Sequence, residues 1–207
     1  MTALLLIIAA VCAYILGGLN GAIITSRFFF RQDIREHGSG NAGLTNFHRI
    51  YGTAGIALVL AIDVLKSVIA VLIGGALLSA VGEKDVGQIF AGFCLMMGHI
   101  FPVFYQLRGG KGVLCAGTLI LIVDPVVGLC CWAVFILVVI CTRYVSLASM
   151  LACLSAPIFM VVFKYSGLEV LLILLCALLV VFKHGENVLR LIGGTENRLS
   201  FGKTAKK

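Results

Sequence analysis

Three short segments of the sequence concentrate the residue types that bind phosphate. The first spans residues 37–49, and its candidate ligands are Gly38, Ser39, Gly40, Asn41, Thr45, Asn46 and Arg49. Glycines let backbone N–H groups approach an anion, while hydroxyl, amide and guanidinium groups add directed donors to its oxygens. The segment therefore predicts an anion-binding loop, with a flexible interhelical connection as the plain alternative. Its glycine spacing also matches a dinucleotide fingerprint, which is excluded because an apolar run precedes it instead of a strand.

The second segment lies between residues 98 and 112. Its candidates are His99, Gly109, Gly110, Lys111 and Gly112. Two cations, Arg108 and Lys111, with three glycines at the predicted start of a helix favour an anion, since the helix N-terminus adds a partial positive charge. A nucleotide-type phosphate loop would need Ser or Thr directly after Lys111, where Gly112 stands. His99 has an equally good alternative, a helix-end side chain bonded to a backbone carbonyl.

The third segment follows the last apolar run and contains His184, Asn187 and Arg190. If the last helix continues past Phe182, the spacing of three residues places these side chains on one face, where they could converge on one ligand. The alternative is a basic helix end anchored at lipid headgroups.

Asp63 and Lys66 form a fourth feature, three residues apart inside an apolar run. Ionisable groups at membrane depth are costly and often functional. Neighbouring opposite charges can also neutralise each other, so a structural ion pair is at least as good an interpretation.

The elements that must position these residues are apolar helices. With 61% hydrophobic and 12% charged residues in 207, the chain has more apolar surface than a soluble domain can bury. We predict one all-α membrane domain over residues 1–207, with about seven transmembrane helices. The apolar runs lie at residues 3–25, 53–79, 86–107, 112–123, 126–142, 145–163 and 168–182. The fourth is short for a span, at about 18 Å against a hydrocarbon core of about 30 Å.

The basic residues predict how the chain is oriented. Seven crossings divide the connections into two sets, which hold thirteen and two Lys and Arg residues. The positive-inside rule then places the N-terminus outside and the C-terminus in the cytoplasm, with all three segments on the cytoplasmic face. The net charge of +7 comes from residues at the ends of apolar runs and in the tail, which favours anionic headgroups over nucleic acid. The eight cysteines sit in or beside apolar runs and predict membrane packing, with no metal site.

Together the three segments resemble the PlsY family, the bacterial integral-membrane glycerol-3-phosphate acyltransferases that use acyl phosphate. The matching motifs are Gly38-Ser39-Gly40-Asn41 with Thr45-Asn46 and Arg49, Gly98-His99 with Phe101-Pro102 and Gly109-Gly110-Lys111-Gly112, and Lys183-His184 with Asn187 and Arg190. The resemblance implies seven helices in the inner membrane and a cytosolic active site. It also implies acyl transfer from acyl phosphate to the 1-hydroxyl of glycerol 3-phosphate, giving lysophosphatidic acid and phosphate in the first step of phospholipid synthesis.

The expected mechanism is direct attack by the acceptor hydroxyl. No histidine has an aspartate five positions later, so the His-Asp dyad of acyl-CoA-dependent glycerolipid acyltransferases is absent. Acyl phosphate is already activated, and positioning with charge neutralisation can supply much of the rate. The residues expected to act on the two phosphates are Ser39, Arg49, Lys111, His184 and Asn187, with the acceptor's own phosphate taking the proton as the resemblance suggests.

The expected partners are glycerol 3-phosphate, acyl phosphate and membrane lipid. We expect a monomer without metal or nucleotide cofactor. A transporter for phosphorylated solutes is the rival hypothesis, although transporters usually place polar sites near the midplane on broken, inverted-repeat helices. A purely structural membrane protein would leave the Ser, Asn, His and Arg residues unexplained.

Overall fold

A computed structural model of the chain describes residues 1–199, and the regular structure within that range is helical, as predicted. Three basic residues of the tail, Lys203, Lys206 and Lys207, lie outside the described residues. The α-helices are α1 (Thr2–Gly18), α2 (Gly21–Phe29), α3 (Leu44–Tyr51), α4 (Ile56–Ser79), α5 (Lys84–Ile100), α6 (Val113–Val123), α7 (Pro125–Thr142), α8 (Val145–Val162), α9 (Gly167–Lys183) and α10 (Gly185–Ile192).

Five of the helical segments within residues 1–199 are long and apolar enough to cross a membrane. They are Thr2–Phe29, Ile56–Ser79, Lys84–Tyr105, Pro125–Thr142 and Val145–Val162. The pair α9 and α10 provides a sixth apolar unit, which bends by 59° between the two helices. The seventh is α6, whose 11 residues span only about 16 Å.

The first apolar run is broken between α1 and α2, where the sequence predicted one uninterrupted span. An ion pair from α4 holds the broken ends. Lys66 Nζ donates to the carbonyls of Gly17 and Leu19 at 3.1 and 2.9 Å, while Asp63 accepts from the N–H of Gly21 at 3.1 Å. The Lys66 ammonium thus caps the C-terminus of α1, and the Asp63 carboxylate caps the N-terminus of α2. Each charge is opposite in sign to the helix end that it contacts, so both contacts are favourable.

The last apolar helix ends at Lys183 and bends there, so the straight continuation on which the one-face arrangement of the third segment was conditional does not occur. The imidazole Nδ1 of His184 lies 2.8 Å from the carbonyl of Val180, the acceptor that the His184 backbone N–H would use in a continuing helix. That N–H bonds to the carbonyl of Val181 at 2.9 Å instead. The helix therefore ends at Lys183, and Gly185 begins a new helix in another direction.

Glycines allow the helices that carry the site to approach closely. A Cβ added to Gly17 on α1 would overlap the backbone of Leu95 on α5, and one added to Gly98 would overlap the backbone of Tyr14. Small residues at such crossings are typical of membrane helix pairs. The contact fixes the C-terminal half of α5, and with it His99, against the α1–α2 break.

The described end of the chain returns to the connection between α7 and α8. The backbone N–H of Leu199 donates to the carbonyl of Arg143 at 2.7 Å, and Ser146 Oγ donates to Glu196 at 2.8 Å. The segment after α10 therefore lies against the start of α8 and closes one wall of a large cavity.

Candidate active site

The three predicted segments meet at one cavity of about 1200 Å³. Twelve of the fifteen predicted site residues line it, and three glycines do not. The lining residues are Gly38, Ser39, Asn41, Thr45, Asn46, Arg49, His99, Lys111, Gly112, His184, Asn187 and Arg190. The three that lie outside the lining are Gly40, Gly109 and Gly110.

The loop before α3 is built around the amide of Asn46, which is 2% exposed. Its Oδ1 accepts from the backbone N–H of Ser39 at 3.0 Å, and its Nδ2 donates to the carbonyls of His37 and Asn41 at 3.0 and 3.1 Å. Asn46 was predicted to bind substrate, but these contacts occupy its amide. The structure therefore uses it to shape the loop that exposes Ser39.

Gly109 and Gly110 likewise pack the second loop instead of facing the cavity. Their N–H groups donate to the carbonyls of Ile100 and His99, both at 3.1 Å. A Cβ on Gly110 would overlap His99 Nε2 and approach the Ala42 carbonyl to 2.7 Å. Glycine is needed here because the first and second loops touch across it.

Lys111 connects the second segment with the third. Its Nζ donates to Oδ1 of Asn187, on α10, and both side chains line the cavity. Burial lowers the pKa of Lys111 to about 8, and the nearby Arg190 guanidinium acts in the same direction. An ammonium that is partly desolvated beside another cation is suited to an anionic ligand.

Glu196 organises the third segment, a role that the sequence analysis missed. It accepts from Asn187 Nδ2 at 2.7 Å, Arg190 Nε at 2.8 Å and Ser146 Oγ at 2.8 Å. Burial acts to raise the pKa of this carboxyl, but these three hydrogen bonds outweigh it and leave the pKa below its usual value. The sequence does contain one signal for this role, because Glu196 is an acidic residue within a basic tail.

The tautomer of His184 follows from its neighbour. A carbonyl oxygen can only accept, so the 2.8 Å contact with Val180 requires the proton on Nδ1. Nε2 then carries a lone pair. Since His184 is 3% exposed and lines the cavity, it offers an acceptor there.

Ser39, on the loop before α3, and Arg49, on α3 itself, are both exposed. Within the part of the chain that the structure describes, the Arg49 guanidinium and the Ser39 hydroxyl make no hydrogen bond or ion pair, so both are available to a ligand. His48, Ser149, Asn197 and Arg198 also line the cavity and were not predicted.

The cavity continues from this polar mouth into the apolar helices. Its inner walls come from α6, α7, α8 and α9. The apolar lining includes Gly117, Leu119, Ile120, Cys131, Trp132, Phe135, Ala152, Cys153, Ala156, Ile173, Cys176 and Ala177. A polar, largely cationic mouth joined to an apolar interior fits an amphiphile with an anionic head.

Fold and site together define a polytopic membrane protein that can hold anionic groups at the mouth of a lipid-compatible cavity. A sequence profile of the family described as glycerol-3-phosphate acyltransferase matches residues 7–194. Curated relatives of that name include one from Clostridioides difficile, 42% identical over 93% of this chain and 95% of the relative, and one from Thermoanaerobacter pseudethanolicus, 38% identical over the same shares.

Two solved structures of PlsY, an integral-membrane glycerol 3-phosphate acyltransferase, superpose on the chain. The glycerol 3-phosphate form gives a TM-score of 0.85 at 34% identity, covering 94% of this chain and 96% of that one. The lysophosphatidic acid form gives 0.83 at 32% identity, covering 94% and 95%. The chain belongs to the glycerol-3-phosphate acyltransferase family, as an integral-membrane member of the PlsY type, which confirms the resemblance found in the sequence.

Proposed function

We propose that this protein transfers a fatty acyl group from acyl phosphate to the 1-hydroxyl of glycerol 3-phosphate, releasing phosphate and lysophosphatidic acid. The observation that carries the proposal is one cavity with phosphate-binding groups at its mouth and an apolar interior. Both substrates carry a phosphate, and one also carries a long hydrocarbon chain. We place the reaction at the cytoplasmic face of the bacterial inner membrane, in a monomer.

The mouth offers donors on two walls, which suits two phosphate groups. Ser39 stands on the first loop and Arg49 on α3, while Asn187 and Arg190 stand on α10, where Lys111 contacts Asn187. Charge-assisted hydrogen bonds from guanidinium and ammonium groups to phosphate are among the stronger polar contacts in proteins. Holding both phosphates brings the acceptor hydroxyl and the acyl carbonyl into one small volume, where orientation lowers the barrier.

The chemical step needs no nucleophile from the protein. The 1-hydroxyl oxygen attacks the acyl carbonyl carbon, a new C–O ester bond forms, and the C–O bond to the leaving phosphate breaks. The hydroxyl proton passes to the phosphate of the acceptor, and His184 Nε2 accepts a hydrogen bond that orients the glycerol hydroxyl groups. Arg49 and Lys111 stabilise the charge that develops on the phosphate as it leaves.

The test is lysophosphatidic acid formation by purified protein in lipid nanodiscs. Wild type should use acyl phosphate with glycerol 3-phosphate and should not use acyl-CoA. Arg49→Ala and Lys111→Ala should each lower kcat/KM by about 100-fold or more, the usual scale for losing a charged transition-state donor. Arg108→Ala is the matched control, because Arg108 belongs to the same loop as Lys111 but does not line the cavity. Efficient turnover of acyl-CoA, or full activity in the Lys111 variant, would refute the proposal.

A further inference from the structure

Four acceptors surround the buried ammonium group of Lys66. Nζ lies 2.8 Å from Asp63 Oδ1, 3.1 Å from the Gly17 carbonyl, 2.9 Å from the Leu19 carbonyl and 2.8 Å from His99 Nδ1. Lys66 and Asp63 are each 3% exposed. A carboxylate buried this deeply requires a cation beside it, so Lys66 is an ammonium with protons only to donate.

This environment fixes the tautomer of His99. An ammonium cannot accept, so the 2.8 Å contact requires a lone pair on Nδ1. The Asp63 oxygen is 3.7 Å from Nδ1, too far for a hydrogen bond that would place a proton there. The imidazole is therefore neutral, with its proton on Nε2.

The Nε2 edge of His99 faces the meeting point of the first two loops. His99 is 4% exposed and lines the cavity, yet Nε2 donates to no acceptor among residues 1–199. The same edge lies beside Gly110, next to the carbonyl of Ala42. Within residues 1–199, the fully enclosed side-chain atoms without a partner are Thr25 Oγ1 and Trp132 Nε1, so His99 Nε2 is open to the cavity, where a bound ligand can accept its hydrogen bond.

We propose that His99 is a ligand-binding residue that donates its Nε2–H to a phosphate oxygen bound between the two loops. Lys66 and Asp63 act on it as positioning residues, because they hold the ring in the tautomer that donates. The two histidines of the cavity thus have opposite roles, since His184 presents a lone pair and His99 presents a proton. His99 cannot act as a base through Nε2. That the phosphate belongs to a substrate rests on the proposed function.

The first test reads the tautomer directly in the whole protein. Nitrogen NMR with ring-labelled histidine, assigned through a His99 variant, should show His99 protonated at Nε2 and His184 protonated at Nδ1. Inorganic phosphate should shift the His99 Nε2 signal. In Lys66→Met, where no ammonium contacts Nδ1, His99 should populate both tautomers. A wild-type His99 protonated at Nδ1, or an Nε2 signal unmoved by saturating phosphate, would overturn the proposal. This measurement needs no turnover, so it stands even if the assigned reaction is wrong.

The second test uses substitutions to distinguish the roles of the two ring nitrogens of His99. His99→Asn keeps an amide oxygen near the Nδ1 position for Lys66 but has no donor near Nε2, whereas His99→Gln places an amide N–H near Nε2. We expect His99→Asn to lower kcat/KM about 10- to 100-fold, the scale of one lost hydrogen bond to a charged group, and His99→Gln to retain most of the activity. The substrate whose KM rises identifies the phosphate.

The matched control is Ser67→Ala on α4, the helix of Lys66; the Ser67 hydroxyl donates to the backbone carbonyl of Asp63 at 2.6 Å, and its loss should leave kcat/KM unchanged. Wild-type kinetics in a folded His99→Asn variant would contradict the proposal. If both His99 variants fail to fold, the phosphate-dependent shift in wild type decides.

Discussion

At the scale of single residues, Lys111 stands out because its charge depends on pH within an accessible range. Burial and the neighbouring Arg190 lower the pKa of Lys111 to about 8. Below that pH the side chain is an ammonium that can bind phosphate, and above it the side chain becomes a neutral amine. Because its pKa is lowered, Lys111 loses its positive charge, and with it the ability to bind phosphate, at a lower pH than an ordinary lysine would.

We expect kcat/KM for glycerol 3-phosphate to fall as the pH rises through about 8, because kcat/KM reports ionisation in the free enzyme. Lys111→Arg should retain some activity and should lose this decline, since guanidinium stays charged. The measurement is a pH–rate profile corrected for spontaneous hydrolysis of acyl phosphate. A wild-type profile that is flat up to the ordinary lysine range would show that Lys111 is not the titrating group.

Residue chemistry predicts which side chains gather at the cavity better than it predicts what each does there. Ser39, Arg49 and Lys111 carry groups whose chemistry suits an anion, and the structure places all three on the cavity lining. Asn46 has the same chemistry, but its amide is bound within its own loop. Sequence alone cannot separate these cases, because a phosphate and a backbone carbonyl or N–H group compete for identical donors and acceptors.

At the scale of elements, the bend between α9 and α10 creates the third wall of the cavity. A straight helix would carry Asn187 and Arg190 onward along the axis of α9. The 59° bend turns them toward Lys111, and Glu196 then holds both from the returning segment. The sequence predicted the right residues on a helix but not the bend, because the His184 side-chain bond to the Val180 carbonyl is not visible in a residue pattern.

Glu196→Gln should weaken this wall while keeping its size. The amide cannot match the charge-assisted contact with Arg190 at 2.8 Å or accept at both oxygens, so the KM for one phosphate substrate should rise about 10-fold or more. Glu186→Gln, on α10, is the matched control, because Glu186 also faces Arg190. Its side chain is 83% exposed and lies 3.6 Å from Arg190, so its loss should change KM little. Equal effects in the two variants would argue against an organising role for Glu196.

At the scale of the whole molecule, charge asymmetry predicts which ends of the helices form the site. The three segments predicted to bind phosphate fall in the set of connections that holds thirteen of the sixteen Lys and Arg residues. The structure brings those segments together at one cavity, as one shared face requires. What the charge pattern could not predict was the α1–α2 break, which depends on where Asp63 and Lys66 from another helix meet the backbone.

The orientation itself is open to a direct test. We expect a single cysteine at Lys84, the first residue of α5, to react with an impermeant maleimide from outside intact cells, in a background whose eight native cysteines are changed to serine or alanine. A single cysteine at Arg108 should react only after the membrane is opened, because the positive-inside rule places its connection in the cytoplasm. The reverse labelling pattern would place the active site on the outer face.

The depth of the cavity sets an expectation for the acyl chain. Ala156 lies eleven residues after the start of α8, so the lining at this point is about 16 Å from the N-terminal end of that helix. Ala156→Phe would fill the inner end of the cavity, because Ala156 is the residue furthest along α8 that lines it. Octadecanoyl phosphate should then lose more kcat/KM than dodecanoyl phosphate, since only the longer chain has to reach this depth.

Ile158→Phe makes the same kind of change on a lipid-facing position of α8, where the side chain is 63% exposed. It should leave the ratio of the two kcat/KM values at its wild-type level, which separates filling of the cavity from a general effect of a bulky residue on the helix. Competition assays with mixed acyl phosphates measure the ratio directly. If Ala156→Phe lowers both rates equally in folded protein, the inner end of the cavity does not receive the acyl chain, and the hydrocarbon must leave between helices closer to the mouth.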